Sequence, residues 1–127
     1  AKDFEFRRKR AGHLWSKMRF ITAQFDAYLT DGLWLKLAAH ANAMAKRLSG
    51  GLAAIDGVDI SYPTEINEVF ACFPGDTAEK MRADGEPFYP WITPGDPAGG
   101  RMNRLIASFR TTEQDVDEFL ARVKQSL

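Results

Sequence analysis

The segment that decides the fold is EVFACF, residues 68–73, a nearly continuous apolar run that is closed by proline and glycine at 74–75. Short apolar runs bounded by turn residues are typical of β-strands. A strand is also predicted just before it, at 58–62, where VDISY alternates apolar and polar residues and Pro63 follows. The chain therefore changes from helical to strand patterning after Gly57.

Two further strands are predicted later in the chain. The third is FYPWI at 88–92, and its Pro90 predicts an edge position because proline cannot donate a hydrogen bond to the ladder. The fourth is RMNRLIASF at 101–109. A short helix is expected at 77–83, and residues 93–100 consist of turn-forming types.

The fourth strand contains Arg104, which is a candidate for binding a carboxylate. Alternation predicts two faces for this strand: Leu105, Ala107 and Phe109 on one, and Arg104, Ile106 and Ser108 on the other. A guanidinium in an otherwise apolar strand offers a planar fork suited to a carboxylate. The alternatives are an arginine in solvent at a sheet edge and an ion pair with Glu68.

Two helices are predicted before the first strand. Apolar residues recur at steps of three or four from Leu14 to Leu29, the pattern of an amphipathic helix. Asp31 is the expected N-cap of a second helix, which runs to about Leu48 and ends at SGG, 49–51. So short a connection predicts a helical hairpin.

The last helix is expected to begin with a capping box formed by Thr111 and Gln114. Five apolar residues are predicted to form its buried stripe: Val116, Phe119, Leu120, Val123 and Leu127. The three tryptophans, Trp15, Trp34 and Trp91, are assigned to the core.

Length and composition predict one globular domain over 1–127, since 45% of the residues are hydrophobic and 27% are charged. The predicted fold class is α+β: a helical lead-in and hairpin over 1–50, then a small, mostly antiparallel four-stranded sheet covered by helices over 51–127. No long apolar segment, signal sequence or cysteine pair is evident, so we expect a cytoplasmic protein with no membrane contact.

The segment RRKRAGHLWSKMRF, residues 7–20, has the densest positive charge. Residues 1–19 contain seven Lys and Arg against two acidic residues, although the whole chain has a formal net charge of zero. The segment from Asp3 to about His13 is expected to be a short helix or a lead-in to the next helix, with a bend at Gly12. The pattern favours an anion site, and the alternatives are a solvated helix face or a stand-alone phosphate- or nucleic-acid-binding module using 7–19. A nucleic-acid module of this size is usually basic overall, so nucleic acid is the weaker expectation.

Motifs of self-contained enzymes are missing from the sequence. There is no Cys/His cluster at metal spacing, no nucleophile elbow and no glycine-rich phosphate loop, so we expect no metal site and no catalytic residue within this chain. His40 lies among alanines and is interpreted as a packing or hydrogen-bonding residue.

Four separated stretches resemble a known family in content and order. They are residues 4–48, NEVFACFP at 67–74, FYPW at 88–91 and RLIASFRTTEQDVDEF at 104–119. Together they resemble the C-terminal third of the low-specificity L-threonine aldolases, which belong to the β-eliminating lyase group of pyridoxal-phosphate enzymes with the aspartate-aminotransferase type of fold.

The resemblance implies cleavage of L-threonine or other β-hydroxy amino acids to glycine and an aldehyde, with pyridoxal 5′-phosphate as an electron sink. It also implies that the cofactor-binding large domain and its lysine lie outside these residues. We therefore expect the chain alone to be inactive and not to bind the cofactor. Its expected partners are its own large domain, a second copy of the enzyme in a dimer or tetramer, and an amino-acid substrate.

Position in the family motifs implies roles for a few side chains. Arg104, in RLIASF, matches the arginine that binds the substrate α-carboxylate. Arg19 and Lys17, in SKMRF, match the region where a basic residue of one subunit reaches the cofactor phosphate of its neighbour. Arg19 is favoured over Lys17, with Lys9 or Arg10 as supporting charge.

Overall fold

A computed structural model describes residues 2–91 and 101–127, so the predicted loop at 93–100 lies outside the described residues. The chain divides into two compact units, 1–36 and 37–127. The helices and strands, in chain order, are α1 Phe4–Arg10, α2 Met18–Leu29, α3 Leu33–Ala53, β1 Asp59–Ile60, β2 Glu68–Cys72, α4 Thr77–Ala83, β3 Tyr89–Pro90, β4 Met102–Ile106 and α5 Glu113–Ser126. The predicted α+β fold class is confirmed, whereas the predicted subdivision at residue 50 stays a prediction.

The first unit contains α1 and α2, and both helices are shorter than predicted. Gly12 has a φ of 73°, which confirms the expected bend, and α2 begins at Met18 and not at Leu14. Asp31 is not an N-cap, because its φ of 52° is left-handed and it lies inside a 3-10 turn, Thr30–Gly32, that joins α2 to α3. The predicted packing of α2 and α3 as a helical hairpin stays a prediction.

Helix α3 runs through the glycines that were expected to end it. Gly50 and Gly51 both lie inside the helix, which continues to Ala53. A β-carbon at Gly51 would overlap the Cδ1 atom of Leu120 and would lie 3.0 Å from its Cδ2 atom. Gly51 therefore allows α3 and α5 to approach closely. The residues around Gly51 in the sequence do not show whether a glycine there ends the helix or makes room for a neighbouring one.

The four strands form one antiparallel sheet in the order β1-β2-β4-β3. Strand β3 lies at an edge, as Pro90 predicted. Strand β4 is an interior strand, with Phe70 and Tyr89 opposite Arg104 in the register of its two neighbours. The alternative of an edge-strand arginine at this position is therefore wrong.

One face of the sheet packs into the hydrophobic core of the second unit. Val69 lies opposite Leu105 in the register, and both side chains are buried in the core. The helices contribute further buried side chains, among them Met44, Leu48, Leu52, Met81, Val116 and Val123. This arrangement leaves the other face of the sheet for different contacts.

Three predictions at the C-terminal end were wrong in detail. Phe109 is exposed because β4 ends at Ile106, and Leu127 is exposed because α5 ends at Ser126. The capping box is one residue later than predicted: the Thr112 hydroxyl accepts a hydrogen bond from the Asp115 backbone N–H, and the Asp115 carboxylate accepts one from the Thr112 N–H. The Thr111 hydroxyl instead accepts a hydrogen bond from the Ser108 N–H.

Candidate functional site

The candidate site lies on the face of the sheet that does not enter the core, called here the second face. Because opposite residues of an antiparallel pair point to the same side, Phe70 of β2 and Arg104 of β4 share this face. Alternation along β2 and β4 adds Glu68 and Ile106 to it. The second face therefore combines an aromatic ring, an acid and a guanidinium.

Three aromatic rings cross the second face in sequence, and Tyr62, Phe70 and Trp91 form what we call the aromatic ladder. The Tyr62 and Phe70 rings meet edge to face, with centroids 5.5 Å apart and an interplanar angle of 90°. The Phe70 and Trp91 rings have centroids 5.9 Å apart at 61°. Both contacts have the edge-to-face geometry that aromatic quadrupoles favour.

The Arg104 side chain ends the aromatic ladder. Its Cζ atom lies 4.5 Å from the centroid of the Trp91 ring, a cation–π contact. Its Nη1 atom lies 3.8 Å from Oε1 of Glu68, so the ion pair proposed from the sequence is present. About a third of the Arg104 side chain is exposed, 34%, against 27% for Glu68.

The two contacts of Arg104 leave its hydrogen-bonding capacity unused. A separation of 3.8 Å exceeds the 2.7–3.2 Å typical of an N–H···O hydrogen bond, and such partly exposed ion pairs contribute at most about 1 kcal/mol. Within residues 2–91 and 101–127, the guanidinium makes no hydrogen bond. An arginine with unused donors can bind a planar carboxylate through two parallel hydrogen bonds.

The predicted phosphate-binding cations lie in the first unit and are exposed. Lys9 is in the last turn of α1, where cations complement the helix dipole, Lys17 directly precedes α2, and Arg19 is in the first turn of α2. The Arg19 guanidinium lies 4.9 Å from the ring centroid of its neighbour Phe20. No ion pair in the described part of the chain joins Lys9, Lys17 or Arg19 to an acidic residue. The structure thus presents these cations to an anion without assembling them around one.

The tryptophan assignments from the sequence need correction. Trp15 and Trp34 are exposed and do not belong to the core. Trp91 is half-buried and contacts Arg104. This contact was not predicted, and the available signal in the sequence was the position of Trp91 directly after a proline-containing edge strand. His40 was interpreted correctly, because its Nε2 lies 2.7 Å from the Thr111 carbonyl oxygen.

Comparison with solved structures first defines the class of fold. The chain superposes on a glycine decarboxylase (P-protein) of the glycine cleavage system with a TM-score of 0.68, at 21% identity over 83% of the chain and 24% of that protein. It superposes on Rhodiola rosea 4-hydroxyphenylacetaldehyde synthase with a TM-score of 0.58, at 19% identity over 70% of the chain and 21% of that protein. Both are larger enzymes, so the fold is that of a domain that recurs within them.

Comparison with more similar proteins then gives the particular relationship. The chain is 40% identical over 124 residues to a low-specificity L-threonine aldolase of a Pseudomonas species, covering 98% of the chain and 34% of the relative. It is 42% identical over 122 residues to the Pseudomonas aeruginosa protein of the same description, covering 96% of the chain and 33% of that relative. It superposes on threonine aldolase from Leishmania major with a TM-score of 0.80, at 26% identity, over 98% of the chain and 35% of that protein.

The chain is therefore similar over nearly its whole length to low-specificity L-threonine aldolases, and it spans about a third of the length of these relatives. The resemblance inferred from the sequence is confirmed. No protein-family model matches the chain. Among the described residues, no helix has the length and apolar character needed to cross a membrane.

Proposed function

We propose that this chain is the C-terminal small domain of a pyridoxal-phosphate-dependent L-threonine aldolase. The enzyme would cleave L-threonine or other β-hydroxy amino acids to glycine and an aldehyde. The proposal is supported by 40% identity to a low-specificity L-threonine aldolase over nearly the whole chain. The structural observation that carries it is the Arg104 guanidinium, which is held on the second face and makes no hydrogen bond to residues 2–91 or 101–127.

Arg104 would bind the α-carboxylate of the amino-acid substrate. A guanidinium offers two parallel N–H donors in the plane of a carboxylate, and its full positive charge strengthens both bonds. Because Arg104 lies on an interior strand, its strand β4 is held by backbone pairing with β2 on one side and β3 on the other. This anchoring would orient the substrate and leave its β-carbon free to face the rest of the active site.

The exposed cations of the first unit fit the phosphate group of the cofactor. Arg19 would contribute a charged fork, with Lys17 and Lys9 as supporting positive charges, and none of the three is paired with an acid among the described residues. When bound, the cofactor supplies a conjugated ring that takes up the electrons of the broken carbon–carbon bond. The residues of this chain would bind and orient charged groups and would not transfer protons.

The enzyme's large domain and a second copy of the enzyme are the proposed partners. The first unit exposes many large apolar side chains, among them Leu14, Trp15, Phe20, Phe25, Leu29 and Trp34. So much exposed apolar surface in one short segment is typical of surfaces that other protein covers. The proposed assembly would bury these residues and bring the cations near a neighbouring subunit.

A chimaeric enzyme tests the proposed function. This chain replaces the matched segment of the Pseudomonas aeruginosa relative, and aldehyde release from L-threonine is measured with added pyridoxal phosphate. We expect the chimaera to be active and Arg104→Ala to lower kcat/KM about 100-fold, because two charge-assisted hydrogen bonds are lost. Arg104→Lys should recover part of this loss, since lysine keeps the charge but not the planar fork.

Arg110→Ala is the matched control for Arg104→Ala, because Arg110 is exposed on the turn that follows β4. We expect its kcat/KM to stay within about twofold of the parent chimaera. A folded, cofactor-loaded chimaera without aldolase activity would contradict the proposed reaction. An active chimaera that tolerates Arg104→Ala would contradict the proposed carboxylate contact alone.

A second candidate function is that of a stand-alone nucleic-acid-binding module that uses the basic segment 7–19. Phe4, Phe6 and Trp15 are exposed beside the cationic run, a combination that such binders use for stacking and charge neutralisation. The zero net charge of the chain argues against it. Fluorescence anisotropy with labelled oligothymidine tests this function. Nucleic-acid binding requires a steeply salt-dependent affinity that is lost when Arg7, Arg8 and Arg10 are replaced by glutamine.

A further inference from the structure

We infer that Trp91 is the positioning residue of Arg104, and that it fixes the plane of the guanidinium for a carboxylate ligand. This inference rests on the proposed role of Arg104 in binding the substrate carboxylate. The observation behind it is the placement of the Arg104 Cζ atom 4.5 Å from the centroid of the Trp91 ring.

The backbone of Trp91 is attached to the same strand as Arg104. Its N–H donates a 2.7 Å hydrogen bond to the carbonyl oxygen of Met102, which extends the pairing of β3 with β4 by one step. Met102 lies two residues before Arg104, so the tryptophan and the arginine are held at neighbouring positions of one ladder. The contact between them is therefore built into the strand register.

The ring of Trp91 also contacts a second aromatic side chain. Phe70 packs edge to face against it, and Tyr62 packs edge to face against Phe70. The aromatic ladder thus connects the segment after β1, the interior strand β2 and the end of β3. Rotation of the indole away from Arg104 would break the Phe70 contact, so the ladder holds the ring where the guanidinium can stack on it.

Stacking orients the guanidinium without using its hydrogen-bond donors. All five N–H groups of an arginine lie in the guanidinium plane, and a ring that stacks on the guanidinium leaves that plane open. Glu68 approaches from the neighbouring strand β2 but stays 3.8 Å from Nη1, beyond hydrogen-bond distance. A carboxylate can therefore approach in the plane of a guanidinium that is already oriented, which reduces the conformational entropy lost on binding.

The kinetic test uses the chimaera that carries the full chain. We expect Trp91→Leu to raise KM for L-threonine about tenfold with kcat within about twofold, because substrate binding is weakened and the chemistry is unchanged. Trp91→Phe should recover part of the loss, since a phenyl ring still offers a weaker cation–π surface. Phe109→Leu is the matched control: it removes an exposed aromatic beyond the end of β4 and should leave KM within about twofold.

A double-mutant cycle shows whether Trp91 acts through Arg104. In the Arg104→Ala background, Trp91→Leu should have no further effect on KM. An equal effect of Trp91→Leu in both backgrounds, or no effect in either, would overturn the positioning role while leaving the proposed function intact. If Arg104→Ala itself leaves kcat/KM unchanged, the carboxylate contact and the positioning role both fail.

A spectroscopic test on the full chain is independent of activity. The Arg104 Nε–Hε signal is assigned by its loss in Arg104→Lys, and we expect the ring current of Trp91 to shift its proton upfield of the other arginines. Trp91→Leu should remove this shift and Trp91→Phe should reduce it, with Phe109→Leu as the unchanged control. An Arg104 signal that is identical in the parent chain and in Trp91→Leu would overturn the inference.

Discussion

Residues 2–36 and residues 37–127 use similar apolar content in different ways. No residue from 2 to 36 is buried, whereas every buried hydrophobic side chain of the described residues lies between Ala41 and Val123. Both regions contain helices with a clear apolar stripe. The comparison shows that periodicity identifies which side of a helix is apolar but does not identify what covers it.

The largest expected difference concerns two apolar side chains that both lie on helices. Leu52 of α3 is fully buried, and Leu52→Ala should lower the free energy of unfolding of the second unit by about 3 kcal/mol, through lost burial and a cavity. Phe25 of α2 is 59% exposed, and Phe25→Ala should cost less than about 0.5 kcal/mol. Urea denaturation followed by far-ultraviolet circular dichroism measures both. Equal losses for the two substitutions would show that residues 2–36 share the core of the second unit.

The next effect concerns association through the first unit. The exposed stripe of α2 predicts that the isolated chain self-associates, because Phe25 and Leu29 present apolar surface to solvent. Phe25→Ser should weaken this association about tenfold, as expected for withdrawing one large side chain from an apolar contact. Sedimentation equilibrium measures the association constant. Ile66→Ser is the control, because Ile66 is an exposed apolar residue of the second unit, and it should leave the association constant unchanged. A parent chain that stays fully monomeric at high concentration would contradict the prediction.

Smaller changes in stability, opposite in sign to each other, are expected when two adjacent glycines of α3 are replaced by alanine. Gly51→Ala should destabilise the second unit by about 1 kcal/mol, because the new methyl group overlaps Leu120 and forces that side chain to move. Gly50→Ala should stabilise it by about 0.5–1 kcal/mol. Outside its own helical turn, no heavy atom of the described residues lies within 4 Å of a β-carbon placed at Gly50, and alanine is the better helix former. Thermal unfolding measures both changes. Stabilisation by both substitutions would show that α3 and α5 do not require the close approach.

These glycines also show what the sequence alone can and cannot predict. The strand predicted at 68–73 is observed at 68–72 and the helix predicted at 77–83 is observed there, because apolar runs and turn residues mark such elements clearly. Gly51 was misinterpreted because a glycine that ends a helix and one that admits a neighbouring helix have the same local context. Asp31 was misplaced because aspartate suits both an N-cap and a left-handed turn position.

The candidate site was predictable only in part for a similar reason. Arg104 and its alternative partner Glu68 followed from alternation along two strands, which is local information. The Trp91 contact depends on the strand order β1-β2-β4-β3, which places the last strand between its predecessors. Periodicity does not encode strand order, so a tryptophan beside an edge strand was assigned to the core.

The smallest expected effect is a pH dependence confined to the second unit. The hydrogen bond that Asp115 accepts from the Thr112 N–H lowers the pKa of the Asp115 carboxyl, and the Thr112 hydroxyl adds to this shift. A lowered folded-state pKa means that Asp115 stabilises the fold above its unfolded pKa of about 3.9, and that this contribution is lost as pH falls through the lower folded value. Asp115→Asn should therefore reduce the loss of Tm between neutral and acidic pH.

Asp59→Asn is the matched control for the pH dependence, because the exposed Asp59 carboxylate makes no hydrogen bond or ion pair with the rest of the described chain. Its Tm should follow the parent chain at every pH.

Since the capping box fixes the first turn of α5, and Val116 in that turn is buried in the core, acid should loosen the second unit from this end. An unchanged pH profile in Asp115→Asn would show that the capping box does not contribute to this acid sensitivity and that other carboxyls, such as Asp76 with its lowered pKa beside Lys80, account for it.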